Sequence, residues 1–321
     1  LKSLLIDANI AEEQAELAAK LALETLGAKE DSKQKTKTDT ILFLGQTELD
    51  AIANILIKHW DTIEPELNGK TPALPKKDPN IPKVIQKSLA TGSKPGDVYL
   101  FGRMMASLPS ANVDAAVQMA HAISVNKLQQ EFDFFTAVDD LSNTSDLDAE
   151  DDTGADHLGE TGYNSSTYYR FTVLDTNQLA KNLGSDEQLL AITQAFAEAF
   201  IQAIPTGHQN GFAAHSLPTA VMIVVRDGQP VSLVDAFEDP VSPETRQNKS
   251  LLANAVSCLD THWGEVNKMY GSQSVQFTGI VTRTQFEEHL KHLKEVKKDS
   301  VEELLTSAIA TTFQNANTGE N

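Results

Sequence analysis

Phe132-Asp133-Phe134-Phe135-Thr136-Ala137-Val138 opens a stretch that closes on Ser166-Thr167-Tyr168-Tyr169-Arg170-Phe171-Thr172-Val173. Both flanks are rich in aromatic and β-branched residues, which suit a pleated, half-buried surface. Between them, Asp139–Glu160 is dominated by Asp, Ser, Thr and Gly. So polar a segment cannot bury itself. Two strands with such a middle predict an excursion that leaves a sheet and returns to it. Excursions of this length inside a compact domain are uncommon and are usually functional or disordered. The functional reading is preferred, because Val138, His157 and Leu158 have no evident core to enter.

Working outward, Asp97–Met104 reads as a strand-like run with Gly102 near its end. Asn112–Val125 reads as a helix, with Val113, Val117, Ala120 and Ile123 on one face. Further upstream, helices are expected over Asp7–Leu26, Thr47–Ile57 and Lys83–Leu89. Glu30–Lys37 is a charged loop, Thr40–Phe43 a short apolar run, and the proline-rich Leu67–Pro82 a second loop. Downstream, helices are expected over Asn177–Leu183, Asp186–Ile204, Ser250–Trp263, Gln285–Val296 and Ser300–Phe313. Strands are expected over Pro218–Val225, Val231–Phe237 and Val275–Val281. The pattern is a helical first part followed by an α+β domain with helices covering a sheet.

Composition narrows the function. The chain has 321 residues, enough for one large domain or two smaller ones, and 40% of them are hydrophobic. Twenty-six Lys and Arg face 45 Asp and Glu, a formal net charge of −19. That argues against nucleic-acid binding by bulk charge, while leaving room for a local basic groove. The one cysteine, Cys258, allows no internal disulfide and fits a reducing, cytoplasmic setting. No apolar run approaches the ~18 residues of a membrane span, and no signal peptide is visible. The chain opens on Leu1 rather than Met, so a segment upstream is expected to be missing.

The candidate chemical constellations are weak. The acidic run Asp146, Asp148, Glu150, Asp151, Asp152 and Asp156 lacks the glycine and the closing glutamate of a calcium loop. His289 and His292 do not make a zinc-protease motif, and His208 and His215 have no further ligand at suitable spacing. His121 reads as a packing residue on its predicted helix. There is no nucleophile elbow, P-loop or dinucleotide fingerprint. No metal or cofactor is therefore expected, and no catalytic set. Gly102-Arg103-Met104 suits binding: glycine lets backbone approach a ligand, arginine can pair with a phosphate, and methionine can slide against a base.

The motifs FGRMMASLPSANVDAAVQMAHAIS, FDFFTAVDDL, DHLGETGYNSSTYYRF and LAKNLG follow one another in this order. Over roughly Val98 to Glu238 the chain resembles the backbone subunit of the type I-E CRISPR surveillance complex, Cascade (the CasC family). The resemblance implies a hand-shaped, non-catalytic protein: a modified RRM-like (ferredoxin-like) palm, helical fingers and a β-hairpin thumb. It places the fingers at 1–115, the thumb at 136–168 and the palm at 116–135 with 169–321. Copies would stack along CRISPR RNA beside other Cascade subunits. Each thumb would displace one guide nucleotide at regular intervals, leaving the segments between free to pair with target DNA. Carried over, Met104 packs on the guide, and Phe135, Val138 and Leu158 wedge between nucleotides. Gly102, Arg103 and His157 complete the expected RNA-binding set, Arg103 through a phosphate. The family opens with a strand and a basic segment that would precede Leu1. The acidic tip at 146–156 is expected to face solvent or a neighbouring subunit. Two other readings stay open: a protein-interaction scaffold without RNA, and a metal-dependent enzyme using the acidic run and His157.

Overall fold

The computed structural model describes residues 1–31, 33–34, 37–137, 157–184, 187–243 and 250–314. In chain order the first half runs α1 (Lys2–Asp7), α2 (Glu12–Glu24), α3 (Gln46–Lys58), α4 (Trp60–Leu67), α5 (Ile81–Thr91), α6 (Gly96–Phe101), β1 (Val117–Met119), β2 (Ile123–Ser124), β3 (Gln130–Ala137), β4 (His157–Asn164), β5 (Tyr168–Tyr169) and β6 (Thr172–Leu174). The rest runs α7 (Thr176–Leu183), α8 (Leu189–Gln202), α9 (Gln209–Phe212), β7 (Ala220–Arg226), α10 (Leu251–Tyr270), β8 (Val275–Thr282) and α11 (Val301–Gln314), with short 3₁₀ turns between. Among the described residues the strands pair two by two, β1–β6, β2–β5, β3–β4 and β7–β8, all antiparallel. The fold is α+β, as expected. No helix among the described residues is long and apolar enough to cross a membrane.

The chain divides into two compact units. The first comprises Leu1–Met119 and Thr172–Thr193; the second comprises Ala120–Phe171 and Gln194–Asn321. The core of the first is helical. Ala15, Ala18, Ala19 and Ala22 form a small-residue face on α2 that lets neighbours approach closely. Ile52 and Leu56 of α3, Ile63 of α4, and Ile81, Ile85 and Leu89 of α5 fill the space above it. Helix starts follow local chemistry. Asn80 accepts a hydrogen bond from the Lys83 N–H at 3.0 Å, and Pro82 sits in the first turn of α5. The Asp175 carboxylate caps α7 through the N–H groups of Asn177 and Gln178, each at 3.0 Å.

In the second unit, β7 and β8 form a sheet packed by helices. Ala220, Met222 and Val224 share a core with Val256 and Trp263 of α10 and with Phe286, Leu290 and Leu293. A Cβ on Gly279 of β8 would lie 2.5 Å from the Leu304 side chain of α11, so the glycine admits that helix. Asp260 of α10 is 1% exposed, and its carboxylate accepts backbone N–H bonds from Lys291, His292 and Leu293 at 2.8–3.1 Å. A buried anion with this many donors is fully satisfied.

Several sequence expectations are corrected. Asn112–Val125 is not a helix. Its backbone is extended and pairs with segments beyond the excursion, Val117–Met119 with Thr172–Leu174 and Ile123–Ser124 with Tyr168–Tyr169. His121 is exposed between those strands rather than packed. Within Asp97–Met104, Gly96–Phe101 is helix, stopped by Gly102 at φ +74°. Val231–Phe237 contains a 3₁₀ turn, Val234–Phe237, in place of a strand. Gln285–Val296 holds two 3₁₀ turns instead of a helix. On α8, Leu190 is half exposed, while Leu189 and Phe196 are buried.

Candidate nucleic-acid interface

Gly102, Arg103 and Met104 lie in the first unit, where the chain leaves α6. Gly102 has φ +74°, and a Cβ there would sit 2.7 Å from the Val113 carbonyl oxygen and 2.8 Å from the Ala115 nitrogen. Only glycine accommodates that approach. Arg103 and Val113 then exchange two backbone hydrogen bonds of 2.9 Å. Extended backbone alternates its side chains, so Arg103 and Met105 point inward and Met104 outward. Met104 is 84% exposed and Met105 is 5% exposed.

Arg103 is not a surface cation. Its side chain and that of Glu48 are each 3% exposed, and Nη1 donates to both Glu48 carboxylate oxygens at 2.8 Å. Nη1 also reaches the Phe43 carbonyl at 3.2 Å, and Nη2 the Ala111 carbonyl at 3.3 Å. The expected phosphate role is corrected on this ground: the guanidinium is enclosed and its charge is answered within the protein. Glu48 has a second task, accepting from the Gly45 N–H at 3.1 Å at the start of α3. Sequence reading missed Glu48: nothing in its place near the start of α3 reveals that it meets Arg103.

The excursion is a two-stranded ribbon in the second unit. Its ladder runs without a bulge from Gln130↔Asn164 to Ala137↔His157. The return strand is therefore His157–Asn164, not Ser166–Val173, which instead supplies β5 and β6. Glu131, Phe132, Asp133 and Phe134 are all exposed, Phe132 at 56% and Phe134 at 66%. Consecutive residues of a strand face opposite ways, so neither face of this part of the ribbon covers a core. Phe135 stands opposite Gly159 and Leu158 opposite Thr136, on adjacent rungs of opposite parity; His157 stands opposite Ala137. Val138 and the acidic run 146–156 lie outside the described residues.

The base of the ribbon is well anchored. Tyr163 meets Phe212 edge-on, with ring centroids 5.1 Å apart. The Tyr168 hydroxyl donates to Asn164 Oδ1 at 3.1 Å, and Asn126 Oδ1 accepts from the Thr167 N–H at 3.0 Å. Arg170 lies over the Phe200 ring at 4.6 Å and donates to the carbonyls of Phe200 and Ala203, at the C-terminal end of α8. A cation suits that end of a helix. Among the described residues, no three His, Cys, Asp or Glu side chains gather as a metal site.

Comparison with known proteins agrees with these motifs. The profile of the CT1975-like protein family matches residues 1–307. The structure is similar to a chain of a CRISPR RNA-guided surveillance complex, pre-nicking, with a TM-score of 0.78 and 28% identity, covering 97% of this chain and 82% of that one. A chain of another CRISPR RNA-guided surveillance complex is similar at a TM-score of 0.54 and 31% identity, over 68% of this chain and 78% of that one. No curated protein matches. With a family profile spanning nearly its whole length, and with the glycine-stopped turn and the ribbon described above, this chain belongs to the CT1975-like family of Cas proteins.

Proposed function

We propose that this chain is a non-catalytic, CRISPR RNA-binding backbone subunit of a Cascade-type surveillance assembly. Likeness along 97% of the chain to a component of an RNA-guided surveillance complex carries this reading. Its partners are the guide RNA, neighbouring copies of itself and other subunits; target DNA is met through the guide. The helices within 1–115 act as fingers and residues 136–168 as the thumb. Residues 116–135 and 169–321, with β7, β8 and α10, act as an RRM-like palm. Phe135, Val138, His157 and Leu158 form the wedge that parts guide nucleotides. Phe135 and Leu158 occupy rungs of opposite parity, which suits a ribbon that enters a stack edge-on with apolar surface toward both flanking bases. Unstacking costs a few kcal/mol per step and is offset by the new contacts. Met104 lies against a base, Gly102 lets the turn form, and Arg103 holds that turn from inside.

The test is nuclease footprinting of guide RNA in the reconstituted assembly. The wild-type chain protects the guide with regularly spaced cleavage sites. Phe135→Ala with Leu158→Ala keeps the protein bound but erases the spacing; an unchanged footprint refutes the wedge. Guide binding that does not weaken as salt rises would favour a protein-only scaffold instead.

A further inference from the structure

The segment 29–44 of the first unit is rich in lysine. It carries Lys29, Lys33, Lys35 and Lys37 in a chain whose net charge is −19. Lys29, Lys33 and Lys37 are exposed, and among the described residues none of the three has an ion-pair partner. The aspartates within the segment accept backbone N–H groups of the segment itself, and its glutamate pairs outside it. Asp31 Oδ1 accepts the N–H groups of Lys33 and Gln34 at 2.7 and 2.8 Å, and Asp39 Oδ1 accepts the Lys29 N–H at 2.8 Å. Glu30 is paired with Lys20.

The next four residues alternate. Leu42 and Leu44 pack against the helical core, while Ile41 is 96% exposed and Phe43 is 55% exposed. A single exposed apolar side chain needs no explanation. Two on one outward face, continuous with a lysine-bearing loop, do. The Phe43 carbonyl is held by Arg103 at 3.2 Å, so the segment is tied to the residue that turns Met104 outward.

We infer that Lys29, Lys33 and Lys37 with Ile41 and Phe43 form a second polynucleotide grip, the lysines on phosphates and the apolar pair against unstacked bases. The occupant is one single-stranded nucleic acid. Lysines beside an apolar strip match the alternation of backbone charge and base face, and the tie to Arg103 makes the strip continuous with the turn that bears Met104. A second copy of the chain, acidic overall, is the competing occupant. The inference rests on the RNA-binding reading above and extends it.

The experiment compares three reconstituted assemblies: wild type, Lys29→Gln/Lys33→Gln/Lys37→Gln, and Ile41→Ser/Phe43→Ser. Guide retention is measured in one arm and binding of complementary single-stranded DNA in the other, each against salt. All five side chains are exposed, and unchanged thermal melting verifies folding. In one arm the lysine variant is expected to lower the slope of log affinity against log salt by about 2, at roughly 0.7 per lost phosphate contact. The arm that responds identifies the strand. The apolar variant is expected to weaken binding in the same arm roughly fivefold or more at unchanged slope. Unchanged slope in both arms overturns the inference, as does guide-free self-association that the lysine variant abolishes. If the wild-type assembly itself retains no guide, the proposed function fails instead, and the two failures are told apart.

Discussion

Removing one half of the Arg103–Glu48 pair should be among the most damaging single changes available to the first unit. Both side chains are 3% exposed and meet through two contacts of 2.8 Å. Glu48→Met leaves the guanidinium with only the carbonyls of Phe43 and Ala111. Stranding a buried charge in this way costs about 3–5 kcal/mol. Loss of the Glu48 bond to the Gly45 N–H adds about 1 kcal/mol. Arg103→Met strands the carboxylate at about the same 3–5 kcal/mol cost. The double variant strands neither, so its loss should fall short of the sum by both stranding costs, about 6 kcal/mol or more. Against the 5–15 kcal/mol that typically holds a domain together, each single change consumes a large share. The chain has two tryptophans, Trp60 beside the helical core and Trp263 in the other core. In a Trp263→Phe background, urea unfolding followed by Trp60 fluorescence reports the first unit alone. Single losses below about 1 kcal/mol, or losses that simply add, would refute the insulated-pair reasoning.

Two further predictions concern single positions. Gly102→Ala places a methyl group 2.7 Å from the Val113 carbonyl at φ +74°, and should cost about 3 kcal/mol or more in the same fluorescence assay; a loss under about 1 kcal/mol would mean the turn relaxes freely. Asp260→Ala removes the acceptor of three backbone N–H groups around Lys291–Leu293 and should cost about 3 kcal/mol or more. This loss is read from Trp263 in a Trp60→Phe background, and a neutral outcome would show that the segment finds other acceptors.

Helices with long apolar periodicity were legible: the Ile52–Leu56 face of α3 and the Val256–Trp263 face of α10 are buried where the spacing puts them. Long-range pairing was not. The spacing of Val113, Val117 and Ala120 satisfies a helical template, yet the partners of Val117–Met119 lie at Thr172–Leu174. No local pattern announces such a partner, and tertiary pairing overrides propensity. The return strand of the ribbon was misplaced for a related reason. Gly159, Glu160 and Gly162 are poor strand formers, but an exposed ribbon asks for ladder hydrogen bonds more than for packing. In the candidate site, the glycine marked a close backbone approach, though the backbone that Gly102 meets is that of Val113 and Ala115 rather than a ligand. The burial of Arg103 was not legible, because Glu48 lies far away in sequence and one sequence does not reveal which charges meet inside.

The first unit is completed by Thr172–Thr193, which the ribosome makes only after the whole of residues 120–171. β1 has no partner until β6 emerges, and the Asn182 amide that donates to the carbonyls of Tyr99 and Asp114 comes later still. During synthesis the early helices can close their own core, Leu5 to Ala111, before the strand that completes the unit has been made. A nascent chain stalled before Thr172 should consequently display an open edge at Val117–Met119, the natural place for a chaperone to hold it.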